Sequence, residues 1–248
     1  MTTDRHLNLF YTYNQNNQLI ENNLTRAWIV TLDFLSGPVR DSWMRLLLQE
    51  ALAHIGQSTD DLPSFVQASF ALQSWMDKTT SLNAPKRYLV TIASDRPDIS
   101  DHESTPYASV PDGWIYDYDL ERKTGYCLLV EAKLHYNPLD ETQIKSHAEW
   151  LGLSPAELEN HILAISWFDV ARSIKELRST LTPNNQEERI LAHLTGYLAF
   201  FGYHIFTGFN FSTLKEPPRF ELGKYSPPAF SYFRDIPQTP AFRLIQSI

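Results

Sequence analysis

The amino-acid sequence predicts an α/β sandwich built on one core, and three observations carry that expectation. Helical stretches flank a middle section of short runs rich in β-forming residues, in the order helix, strands, helix, strand, helix, which is a layered α/β arrangement. The 248 residues suffice for one substantial core and do not require two domains. Hydrophobic residues at 43% and charged residues at 20% are ordinary for a globular chain.

The first helix is expected over about 18–36 (QLIENNLTRAWIVTLDFLS), closed by Gly37-Pro38. A second, over about 40–55, ends at Gly56. FVQASFALQSW (65–75) is ambiguous by pattern and is read as a strand, whereas KRYLVTIAS (86–94) is a clearer one. A polar loop of about 17 residues (95–111) follows, long enough for a lid or binding loop. DGWIYDYD (112–119) and YCLLVEAKL (126–134) form two strands joined by the turn LERKTG, and NPLDETQIKSHAEWLG reads as a helix stopped at Gly152. Ser154-Pro155 opens a short helix, with Glu157 at capping-box spacing. HILAISW (161–167) is a short buried strand, and helices over about 168–180 and 186–203 complete a body spanning 1–208. Beyond it, 209–248 holds six prolines and eight aromatics. Such a segment cannot form long regular elements, yet it is too aromatic for a free linker. It is expected to be an extended C-terminal arm packed on the body or on a partner.

No apolar run reaches the roughly 18 residues that span a bilayer, and the first residues lack the order of a secretory signal. Cys127 is the only cysteine, which excludes an intrachain disulfide and a cysteine-based zinc site. A reducing, cytoplasmic setting is expected. The net charge of −8 does not by itself suggest a nucleic-acid partner, because DNA affinity rests largely on Lys and Arg at phosphates.

The chemistry lies in the paired strands. In YCLLVEAKL, Leu128, Val130, Ala132 and Leu134 share one face, and Cys127, Leu129, Glu131 and Lys133 share the other. Two charges on a strand that is otherwise buried are costly unless they are paired or bound to metal. One reading is a plain Glu131–Lys133 ion pair at the strand end. A hairpin that sets Asp112 opposite Lys133 and Trp114 opposite Glu131 favours another, because it brings Asp112, Glu131 and Lys133 onto one face. Two carboxylates beside an ammonium suit a hard divalent cation that prefers oxygen ligands. Asp117 and Asp119 fall at the far end and read as turn residues.

Pro111-Asp112 followed, after residues 113–130, by Glu131-Ala132-Lys133 resembles the signature of the PD-(D/E)XK nuclease superfamily over about residues 15–180. The resemblance implies a restriction-endonuclease-like α/β/α sandwich with a central mixed sheet, whose core runs helix, three antiparallel strands, helix, strand. An extra strand at 65–75 or 86–94 departs from that minimal core. The resemblance also implies that Asp112, Glu131 and Lys133 are catalytic. Asp112 and Glu131 would then bind Mg²⁺, with Mn²⁺ able to substitute. By the same resemblance Glu21 joins the metal. It borders the stripe Leu24, Trp28, Leu32, and its plain alternative is a surface glutamate with a covered stem. Gln143 matches a glutamine that some branches carry, although Asp140 and Gln143 also have capping-box spacing. His147 shares that helix face and is read as a surface histidine.

The function implied is an Mg²⁺-dependent deoxyribonuclease, an endonuclease hydrolysing DNA phosphodiesters. By analogy it would be part of a bacterial antiviral defence or restriction system and act as a homo-oligomer or within a larger complex. The alternatives are the same site acting on RNA or branched DNA, and a catalytically silent scaffold subunit.

Overall fold

A computed structural model describes residue 10 and residues 20–73, 83–94, 99–100, 110–119, 121–134 and 139–205. Helix α1 spans Ile20–Phe34 and helix α2 spans Gly37–His54. Leu24, Ala27, Trp28 and Leu32 recur at helical spacing along α1 and are buried. Gly37-Pro38 was expected to close the first helix. Instead the pair lies in the first turn of α2, where a missing proline N–H costs nothing.

The strands are β1 (Ser69–Leu72), β2 (Lys86–Ala93), β3 (Ile99–Ser100), β4 (Gly113–Asp119), β5 (Thr124–Ala132), β6 (Leu139–Asp140) and β7 (Ile162–Ser166). Between and after them come α3 (Glu141–Trp150), α4 (Pro155–Leu158), α5 (Trp167–Thr180) and α6 (Gln186–Phe200). The starts of α3, α5 and α6 are fixed by side-chain caps from Asp140, Ser166 and Asn185. The expected capping box of Ser154 and Glu157 opens α4. Asp140 caps α3, its side chain accepting from the Thr142 N–H.

Five strands make one mixed sheet in the order β1-β4-β5-β2-β7, and β3 and β6 pair separately. β1, β4 and β5 run antiparallel in succession, while β2 is parallel to both β5 and β7. β2 therefore lies between β5 and β7. Helices cover both faces. Leu128, Val130 and Ala132 of β5 share a core with residues of α1, α2, α5 and α6. Cys127 and Leu129 pack instead with Ile144 and Ala148 of α3 and with Leu151 just past its end. The result is a mixed α/β protein with a five-stranded sheet between helical layers. No helix among the described residues is long and apolar enough to cross a membrane. The arm expected at 209–248 lies outside the described residues.

One buried cation locks the first layer. Arg40 of α2 is 8% exposed, and its guanidinium donates to the carbonyls of Leu32, Asp33 and Leu35 at 2.7, 3.2 and 2.9 Å. It also reaches the carbonyls of Phe65, Val66 and Ala68 at 3.5, 3.2 and 3.5 Å. A planar fork of five donors can serve a helix end and a loop together, which a lysine cannot do.

Candidate active site at the end of the strand pair

The turn joining β4 to β5 sets the geometry. Asp119 pairs with Thr124, so the connection is shorter than the expected LERKTG. The Asp119 carboxylate accepts from the Glu121 and Arg122 N–H groups at 3.0 Å, the turn role expected of it. Gly125 follows at φ +117°, and a Cβ there would lie 1.9 Å from the Asp117 carbonyl oxygen, so only glycine permits this closure. The early turn shifts the hairpin by two residues from the expected register. Trp114 faces Leu129 and Gly113 faces Val130, and one further step of that register would set Asp112 across from Glu131 rather than Lys133. A shift of two keeps every side chain on its expected face.

At the open end of the pair, the Asp112 carboxylate accepts from the Ala132 N–H at 2.9 Å. The Glu131 side chain is 1% exposed. Lys133 donates from Nζ to Glu131 Oε1 at 2.7 Å, so the ion pair foreseen as the plain alternative is present. The Lys133 backbone is held as well: its N–H donates to the Ile92 carbonyl at 2.7 Å, and its own carbonyl accepts from Trp167 Nε1 at 3.0 Å. Glu131 and Lys133 are thus joined at the end of β5, and Asp112, just before β4, is tied to the neighbouring Ala132 backbone.

His147 departs from its expected place. It was read as a surface histidine, yet it is 0% exposed, and its Nε2 lies 2.9 Å from Glu131 Oε2. Ile144, Ala148 and Leu151 are buried around it. Their helical spacing puts His147 inside the buried stripe, a signal that the sequence carried. Gln143, one turn earlier, is half-buried. Sequence reasoning also passed over Thr91, which lies beside Glu131 in the β2–β5 ladder and is 1% exposed. Neither Thr91 Oγ1 nor His147 Nδ1 has a hydrogen-bond partner among the described residues. Glu21 lies in the first turn of α1, but its side chain is outside the described residues. The buried stripe of α1 packs on the sheet face opposite to that of Glu131. Cys127 is fully buried, which pushes its thiol up to about 12 and removes it as a nucleophile near neutral pH.

Among the described residues, no group of three or more His, Cys, Asp and Glu side chains could hold a metal ion. An Mg²⁺ ion keeps several waters and is typically held by one or two carboxylates together with substrate phosphates, and the Asp112 and Glu131 carboxylates are the candidates for that role here. Each Glu131 oxygen carries one hydrogen bond from the protein and has a second lone-pair direction. These residues could hold at most a partly hydrated hard cation and not an ion in a closed protein cage. Comparison with protein-family models, with curated proteins and with solved structures found no match to this chain.

Proposed function

We propose that this chain is a divalent-metal-dependent nuclease of the PD-(D/E)XK type, with Asp112, Glu131 and Lys133 as its working residues. The observation that supports the proposal is the hairpin register, whose next step would set Asp112 across from Glu131, together with the bond from Lys133 to that glutamate. The layered sheet with β1, β4 and β5 antiparallel is compatible with a restriction-endonuclease-like fold, and β2 is then an insertion.

Asp112 and Glu131 would hold Mg²⁺, with Mn²⁺ as a substitute. When bound, the ion polarises a phosphodiester and lowers the pKa of a coordinated water. Lys133 offsets the negative charge that builds on the phosphorus oxygens during attack. Its tether to Glu131 keeps the ammonium in place and limits the reorientation needed during reaction. The Ala132 N–H fixes the Asp112 carboxylate in the same way.

DNA is the proposed substrate. A net charge of −8 implies weak binding of free DNA at physiological salt, so an oligomer or a larger complex would supply the missing affinity. The test is incubation of the pure full-length chain with supercoiled plasmid, linear duplex and single strands of DNA and RNA, with Mg²⁺, Mn²⁺ or EDTA. Cleavage that needs metal and is lost in Asp112→Asn and Lys133→Met supports the proposal. Metal-independent cleavage, or cleavage unchanged in both variants, overturns it.

One observation favours a second reading, a silent nuclease-like subunit. Both Glu131 oxygens are already engaged within the chain, and the side chain is almost fully buried. Binding of Mn²⁺ without cleavage of any nucleic acid supports that reading.

A further inference from the structure

We infer that His147 is a positioning residue of this site: its imidazole aims the Glu131 carboxylate and so sets the affinity of the Asp112–Glu131 pair for a divalent cation. The inference rests on the nuclease reading and deepens it.

His147 occupies a place in α3 that suits an apolar residue, among Ile144, Ala148 and Leu151. Burying an imidazole there costs free energy unless a bond offsets it. The bond is to Glu131 Oε2 at 2.9 Å, whereas Nδ1 has no partner among the described residues. An ionised carboxylate only accepts, so Nε2 carries the hydrogen and donates. Lys133 donates to the other oxygen from the strand side, and His147 donates from the helix side. Two donors on separate elements fix both the plane and the direction of the carboxylate. Outer partners of this kind orient ligating groups, and losing one typically costs about 10- to 100-fold in metal affinity or activity.

A purely architectural role, in which the bond only fastens α3 to the sheet, makes a different prediction. It would lower stability in any substitution and leave metal affinity untouched in chains that fold. The experiment uses the full-length chain and titrates Mn²⁺ alone by calorimetry, alongside cleavage at graded Mn²⁺. His147→Leu is expected to weaken Mn²⁺ binding by about 10- to 100-fold. The Mn²⁺ concentration for half-maximal cleavage should rise by a similar factor, with a smaller change in rate at saturating metal. His147→Gln places an amide N–H where Nε2 lay and should restore most of the affinity. His147→Asn places it where Nδ1 lay and should not.

If His147→Leu does not fold, the contrast between Gln and Asn still decides. Equal Mn²⁺ affinity in His147→Gln, His147→Asn and the parent overturns the inference, as does an equal loss in the two variants. A parent chain that takes up no Mn²⁺ and cleaves nothing is a distinct result, because it overturns the nuclease reading itself and this inference with it.

Discussion

Arg40 and Glu131 are both charged side chains withdrawn from water, one on each side of the sheet, and they are treated differently. The Arg40 fork reaches six backbone carbonyls and stacks over Phe70, with its guanidinium carbon 5.1 Å from the ring centroid. Its donors are spent on the end of α1 and on the loop before β1, and they serve the fold alone. Among the described residues Glu131 is held by two side chains, Lys133 and His147. Two of the four buried polar side-chain atoms without a partner among the described residues, Thr91 Oγ1 and His147 Nδ1, belong to residues beside it. A closed set of bonds marks a buried charge that works for the architecture. An incompletely satisfied set, which costs stability, is what a site retains when its last partners arrive with a ligand.

The largest expected effect comes from opening the closed set. Arg40→Leu keeps the apolar contacts of the stem and leaves the carbonyls of α1 and of 65–68 without their shared donor. Each buried acceptor left unpaired costs roughly 1–3 kcal/mol, and water will reach some of them. A net loss of about 3–5 kcal/mol is expected, read as a lower midpoint in urea unfolding at unchanged slope. Arg40→Lys should recover only part, because an ammonium lacks the fork. A loss below about 1 kcal/mol would mean that the guanidinium is dispensable and that the contrast with Glu131 is empty.

Glu131→Gln probes the other side of the comparison. The amide is isosteric, and its oxygen can still accept from Lys133. Its NH2 can donate to His147 Nε2 once the imidazole hydrogen sits on Nδ1, so unfolding should shift by no more than about 1 kcal/mol. Cleavage should fall by about 100-fold or more, because a charged ligand to the proposed metal is gone. The two numbers must move apart for the site to be functional. A stability loss as large as that of Arg40→Leu, with cleavage unchanged, would make Glu131 architectural and remove the site.

How much of this was legible in the sequence divides along the same line. The strand pair and its faces follow from alternation and local turn chemistry, and the pairing of Glu131 with Lys133 was readable for that reason. The two-residue error in register arose because LERKTG does not state where pairing resumes; the conformation of Gly125 decides it. The position of β2 between β5 and β7 was not readable, since parallel pairing joins segments far apart and leaves no local pattern. Arg40 gave no signal because its partners are backbone carbonyls, which every sequence possesses. His147 and Thr91 did leave one: each interrupts an apolar stripe at the spacing of its own element. A single polar residue in such a stripe was read as surface at His147 and passed over at Thr91, where burial turns it into a question about its partner.

Thr91 therefore gives the finest test of the comparison. Its hydroxyl is buried beside Glu131 with no partner among the described residues, and valine has nearly the same shape. An unsatisfied buried hydroxyl costs about 1–3 kcal/mol, so Thr91→Val is expected to raise stability by about 1 kcal/mol. Substitution of a polar group that has good partners normally goes the other way. If the hydroxyl belongs to the open set around Glu131, the same variant should lose cleavage by a few-fold, on the order of 1 kcal/mol in the barrier. A more stable but slower protein is the signature of strain kept for function. Lower stability with unchanged cleavage would show that Thr91 already has a firm partner, and the β2 side of Glu131 would then be as closed as the setting of Arg40.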